Sequence, residues 1–203
     1  MINSDQCLAK WGTPKNTVAW QSRILSNWYA DRNLTNTQLS EYRESCFPSK
    51  IYMNNLMHGP FTAAVINLIE DDNLHLLRTW DGCFNIRKIA GSNKWSTHSY
   101  GISFDIDAAW NKQGKPGDLS YKIVDNIKCG GFDWGGNFGG SSIDPMHFTL
   151  KEEFIGVEPT IGELEDSPED IKDLIDRLIN ALEELKHTPQ SLENIDQHMD
   201  YHS

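Results

Sequence analysis

The chain has 203 residues, 38% of them hydrophobic, and a formal net charge of −11, which is long enough for one domain with a real core plus an appendage. The charge is divided unevenly: residues 151–203 carry 15 acidic and 4 basic side chains, and residues 1–150 carry 14 of each. No positive footprint for nucleic acid is present, no polybasic patch for a membrane, and no run of the roughly eighteen apolar residues needed to span one.

Residues 1–50 mix polar residues with Trp11, Trp20, Trp28 and Tyr29. Aromatic faces stack on sugars and apolar peptides, so a recognition segment for such a ligand is one reading; packing into the core is the preferred one. After Gly59-Pro60, the spacing of Phe61, Ala64, Val65, Leu68 and Ile69 predicts a helix over 61–77 that packs on a sheet. Trp80 to Arg87 follows. Arg87 is the candidate cation for a substrate carboxylate or a developing oxyanion, with a structural ion pair as its alternative.

The stretch from Trp95 to Asp107 is the most informative. From Tyr100 onward it alternates, with Ile102, Phe104 and Ile106 on one face and Ser103, Asp105 and Asp107 on the other, the period of a half-buried strand. Run straight back, that strand would put His98 on the apolar face. His98 and Asp105 can therefore share a metal only if the chain turns near Gly101, where glycine supplies the freedom. Asp107 is expected to be a solvated strand-end residue or a partner for a ligand histidine.

The block Gly130 to Gly140 lacks the lysine of a phosphate-binding loop and reads as an aromatic-walled rim, with Trp134 and Asn137 facing substrate. In Asp144-Pro145-Met146-His147 the proline favours a turn, and 146–150 reads as a short strand with His147 and Thr149 on one side. Two histidines and one carboxylate make a three-ligand zinc set that leaves a position for water. Asp144 supplies a base to take that water's proton and pass it to a leaving amine.

In the tail, Ser167, Pro168 and Asp170 form an N-terminal helix signal. The apolar stripe Ile171, Leu174, Ile175, Leu178, Ile179, Leu182 and Leu185 predicts an amphipathic helix over 168–186, which docks on the catalytic domain or mediates self-association or partner docking. The remaining histidines, His58, His75, His187, His198 and His202, read as surface or satisfied residues. The four cysteines, Cys7, Cys46, Cys83 and Cys129, lack metal spacing and read as reduced, mostly buried thiols.

The series Ser96-x-His98-x-x-Gly101-x-x-x-Asp105, then Gly131 to Gly136, then Asp144-x-x-His147-Phe148, resembles the zinc D-Ala-D-Ala carboxypeptidases and L-alanyl-D-glutamate endopeptidases of bacterial cell walls and phage lysins. The resemblance implies zinc held by His98, Asp105 and His147, Asp144 as general base where many members have glutamate, Arg87 as the substrate arginine, and Ser96 as a contact to substrate or to a group behind the ligands. The chain departs from that pattern at Asn137-Phe138, where Asp-Trp is frequent, and at Ser103, where alanine is common.

The expected fold is α+β: a small antiparallel sheet carrying the zinc site, helices packed on one side, and the C-terminal amphipathic helix. Residues 1–150 form the peptidase domain (segment 1–50 and catalytic core 51–150) and residues 151–203 the acidic tail. The expected activity is zinc-dependent cleavage of the peptidoglycan stem peptide by a phage-type L-alanyl-D-glutamate endopeptidase. The alternatives are a D-Ala-D-Ala carboxypeptidase and a non-catalytic wall-binding or virion assembly protein that retains zinc. The first residues carry no charged start followed by an apolar run, so the expectation is a lysin made in the cytoplasm and released onto the wall.

Overall fold

A computed structural model describes residues 2–156, which fall within a compact unit spanning Met1–Val157. The helix expected over 168–186 lies outside the described residues. The tryptophans of the N-terminal segment are structural. Helix α1 (Ser4–Trp11) opens on a capping box between Asn3 and Gln6. It is followed by α2 (Val18–Ile24), β1 (Leu25–Tyr29), α3 (Ala30–Asn33), α4 (Asn36–Arg43) and β2 (Lys50–Asn54). Strands β1 and β2 pair as an antiparallel ladder from Leu25↔Asn54 to Tyr29↔Lys50. Trp11, Trp20 and Trp28 are all buried. Trp28 meets Phe61 edge-on at 5.0 Å, while Trp11 and Trp20 flank Tyr100 at 5.7 and 6.2 Å. The core-packing reading of this segment is the one observed.

Helix α5 (His58–Glu70) buries Phe61, Ala64, Val65, Leu68 and Ile69, the stripe read from the sequence. It starts earlier than expected because Pro60 fits within the first turn, where its missing N–H has no helical partner to lose. It also stops earlier: Asp72 takes a positive φ of 54°, and residues 74–76 continue only as a 3-10 turn. Asp and Asn tolerate that conformation better than other side chains.

The remaining elements are β3 (Trp80–Gly82), β4 (Ser103–Ile106), α6 (Tyr121–Cys129), β5 (Phe132–Trp134), β6 (His147–Leu150) and α7 (Glu153–Gly156). The four strands form one antiparallel sheet in the order β3-β4-β6-β5. Alternation sorts its two faces. Phe104 stacks on Trp80 and on Phe148, each at 5.5 Å, and receives the edges of Phe132 at 5.0 Å and Phe61 at 5.6 Å. Truncating such an aromatic costs about 3–5 kcal/mol, so the apolar face strongly fixes the register. A one-residue slip would turn every polar side chain of β4 and β6 inward.

Buried residues of α5 and α6 join the same core, so helices back the sheet and leave Ser103, Asp105, His147 and Thr149 on its other face. The chain stays attached past Leu150: Lys151 N–H donates to Gly131 and Ile155 is buried. Among the described residues no helix is long and apolar enough to cross a membrane. All four cysteines are free; Cys7 and Cys83 are buried, Cys46 is half-buried and Cys129 is exposed.

Candidate metal centre

His98 sits on a short turn made for it. Ser96 caps the 3-10 turn Thr97–Tyr100, its Oγ accepting the His98 N–H at 3.3 Å. Gly101 then reverses the chain with φ 63°, and a Cβ there would lie 2.6 Å from Leu25 Cδ2 and 3.0 Å from the Asn54 nitrogen. This is the turn that the parity of the strand demanded. The 83–87 segment wraps round it: Asn85 N–H donates to the His98 carbonyl at 3.1 Å. Ser99 Oγ accepts from Arg87 N–H at 3.0 Å and donates to the Arg87 carbonyl at 2.9 Å. His98 Nδ1 lies 2.6 Å from the Cys83 carbonyl. A carbonyl only accepts, so Nδ1 carries the hydrogen and Nε2 presents a bare lone pair.

Asp105 and His147 are direct partners in the β4/β6 ladder. His147 Nδ1 lies 2.9 Å from Asp105 Oδ1, His98 Nε2 lies 3.2 Å from Asp105 Oδ2, and the two ring nitrogens are 3.1 Å apart. With zinc bonds of 2.0–2.1 Å, donor atoms at the corners of a tetrahedron stand about 3.3 Å apart. One ligand atom from each residue lies within 4.8 Å of the others, a spacing that admits one zinc ion between the two ring nitrogens and the carboxylate, and their nitrogen and oxygen chemistry suits that ion. Among the described residues His98, Asp105 and His147 form a group able to hold a metal. Burial raises the Asp105 pKa, but when the His147 and His98 rings are protonated their N–H groups and charge outweigh it and hold the carboxyl well below its ordinary range.

Asp144 is delivered to the same side by a β-turn. Its carbonyl accepts His147 N–H at 3.1 Å, and its own N–H donates to Gly135 at 3.0 Å. The approach is tight, since a Cβ on Gly135 would lie 2.5 Å from the Asp144 carbonyl oxygen. Asp144 Oδ1 is buried without a hydrogen-bond partner among the described residues. Burial, reinforced by the charge of Asp105, pushes its pKa up against the pull of His147, His98 and Arg87. The Arg87 side chain is exposed, yet near enough for its charge to act on Asp144.

Ser96 is buried and its Oγ accepts the His98 N–H, which is the contact to a group behind the ligands, the second of its two expected roles. Two positions, Trp134 and Asp107, take roles other than those expected. Trp134 stands opposite Phe148 in the ladder and hence on the apolar face. Its indole N–H donates to the Pro145 carbonyl at 2.7 Å, which holds the Asp144 turn against β5. Asp107 is buried, not solvated, and among the described residues its carboxylate turns to Arg78 and Thr79 and not to a ligand histidine: it accepts the N–H groups of Arg78 and Thr79 and the Arg78 Nε, each at 2.8 Å. Asn137 is exposed in a 3-10 turn next to Asp144's hydrogen-bond partner Gly135. The Cys83 carbonyl, Ser99 and the hydroxyls beside His147 were missed, because backbone acceptors and lone hydroxyls leave no motif.

Residues 90–150 match the model of a family described as D-alanyl-D-alanine carboxypeptidase. The matched segment contains the whole His98, Asp105 and His147 cluster together with Asp144, and the match supports a zinc peptidase acting on peptidoglycan. No curated protein matches the chain.

Proposed function

We propose that the protein is a zinc-dependent peptidase that hydrolyses a peptide bond in the stem peptide of peptidoglycan. The observation that carries this reading is the meeting of two imidazole nitrogens and a carboxylate at 2.9–3.2 Å, beside a buried carboxylate oxygen that lacks a partner among the described residues. His98 Nε2, Asp105 and His147 Nδ1 would hold the zinc. Bound there, zinc supplies Lewis acidity, polarising a carbonyl and making water nucleophilic near neutral pH.

Asp144 takes the proton of the attacking water as oxygen bonds to the scissile carbon, then gives it to the amine as the C–N bond breaks. Its buried Oδ1, without a hydrogen-bond partner among the described residues, is open to take up that proton and to release it. Arg87, exposed and near enough for its charge to act on Asp144, would meet a substrate carboxylate or the developing oxyanion. Ser96, Ser99 and Cys83 keep the His98 ring in place, and Trp134 keeps the Asp144 turn in place.

The finer reading is a lysin-type L-alanyl-D-glutamate endopeptidase that reaches the wall after release from the cytoplasm. A D-Ala-D-Ala carboxypeptidase is the second reading, favoured by the description of the matched family. Mass spectrometry of purified walls incubated with the zinc-loaded protein separates them. Stem peptides that begin at D-Glu indicate the endopeptidase, and loss of terminal D-Ala alone indicates the carboxypeptidase. Walls left intact by a zinc-loaded chain would sink both and favour a wall-binding or assembly role.

A further inference from the structure

We propose that Thr149, Ser103 and Thr97 form a one-way chain of hydroxyls that holds His147 in its metal-binding tautomer, so that Ser103 is a positioning residue for a ligand it does not touch. This rests on His147 Nδ1 being a zinc ligand, as proposed above. The ring's other nitrogen, Nε2, lies 2.7 Å from Thr149 Oγ1. Thr149 Oγ1 lies 2.9 Å from Ser103 Oγ, and Ser103 Oγ donates to Thr97 Oγ1 at 2.7 Å.

Each hydroxyl has one hydrogen to donate. Ser103 gives its hydrogen to Thr97, so toward Thr149 it accepts. Thr149 has then given its own, so toward His147 it too can only accept. Toward Thr149, the nearer hydroxyl at 2.7 Å, Nε2 therefore donates and carries the ring hydrogen, which leaves the Nδ1 lone pair facing His98 and Asp105; Thr97 Oγ1 stands farther from Nε2, at 3.5 Å. Ser103 and Thr149 are 0% and 1% exposed, which keeps solvent from exchanging the donors.

The chain has an opponent. Asp105 Oδ1 is 2.9 Å from His147 Nδ1, and a carboxylate at that distance draws the hydrogen onto Nδ1, where it would block the ligand atom. Ser103 and Thr149 pull it the other way before any metal arrives. Partners of this kind typically change metal affinity by about 10–100-fold.

Three variants test the chain. S103A leaves Thr149 free to turn its hydrogen toward Nε2, T149V removes the acceptor with little change of shape, and T149S restores it. The readouts are the zinc dissociation constant from chelator competition and, in the zinc-free full chain, the nitrogen-15 shifts of the His147 ring, which report where its hydrogen sits. Expected are zinc binding about tenfold weaker in S103A, up to about 100-fold weaker in T149V and near wild type in T149S. In S103A the His147 hydrogen is expected to shift from Nε2 toward Nδ1. Unchanged affinity and an unchanged tautomer in both S103A and T149V would overturn the proposal, and a loss confined to T149V would overturn the part assigned to Ser103. A wild-type chain that binds no zinc would defeat the peptidase reading, while the tautomer comparison would still decide for or against the chain of hydroxyls.

Discussion

Asp105 and Asp107 lie two residues apart, with the same side-chain chemistry and the same apparent strand face, and they end in opposite surroundings. Strand β4 stops at Ile106, and Asp107 takes a positive φ of 52°. That swings its carboxylate toward Arg78, away from the metal side. There it is saturated by N–H donors from Arg78 and Thr79. The Arg78 guanidinium also forks onto Asp118 at 2.6 and 2.9 Å and covers the Trp110 ring at 4.1 Å. Asp105 instead faces His98 Nε2, whose hydrogen is committed to the other side of the ring, and His147 Nδ1. A carboxylate met by backbone and guanidinium N–H groups is an anchor, whereas one that shares a space with two imidazole nitrogens is set up to share a cation with them.

Breaking the two sites separately should give opposite phenotypes. The largest effect is expected from His98→Ala or Asp105→Ala, each of which removes a ligand: zinc binding and hydrolysis should both vanish while the circular dichroism spectrum persists. Next comes Asp144→Asn, which should lower kcat by about 10²–10⁴-fold with zinc content unchanged, a separation that metal analysis alongside a stem-peptide assay would show.

Asp107→Ala should do the reverse. It leaves the Arg78 Nε and the backbone N–H groups of Arg78 and Thr79 without that acceptor, while the guanidinium keeps Asp118, and about 2–3 kcal/mol of stability should be lost. A urea titration would show this as a lower midpoint at constant slope, with zinc affinity unchanged.

The smallest effects concern pH. In the zinc-free protein the folded-state pKa of Asp105 is depressed, so its contribution to stability is complete above the ordinary value of 3.8 and is lost as pH falls through the folded value. Asp144 has the opposite sign. Its pKa is raised above 3.8, the folded state binds the extra proton, and stability declines as pH rises through that window. Thermal melts of Asp144→Asn should therefore show a higher midpoint than wild type at neutral pH and a flatter profile on the acid side; a lower midpoint at neutral pH would contradict this assignment.

Much of this arrangement was legible in the residues. Alternation from Tyr100 to Ile106 placed Asp105 on the polar face, parity required the turn that Gly101 makes, and Pro145 marked the turn that brings Asp144 beside His147. The stripe from Phe61 to Ile69 gave α5, although not its ends, which Pro60 and Asp72 decide by local backbone geometry. Asp107 was misread because a positive φ at a residue other than glycine has no signature in a period-2 pattern. Trp134 was misread because a three-residue strand is too short to show which face is buried, and only pairing with β6 decides it. The pairing of β1 with β2 was not anticipated either, since residues 25–54 mix short helices with the strands. The hydroxyls of Ser99, Ser103 and Thr149 matter through contacts up to 46 residues away in sequence, a range at which spacing says nothing.

The most direct test of the account is a calorimetric zinc titration of the zinc-free wild-type chain, Asp105→Ala and Asp107→Asn. The structure predicts one tightly bound zinc per chain in the wild type and in Asp107→Asn, and none in Asp105→Ala. Wild-type protein that takes up no zinc, or Asp105→Ala that binds it as tightly as wild type, would contradict the claim that His98, Asp105 and His147 form the metal centre.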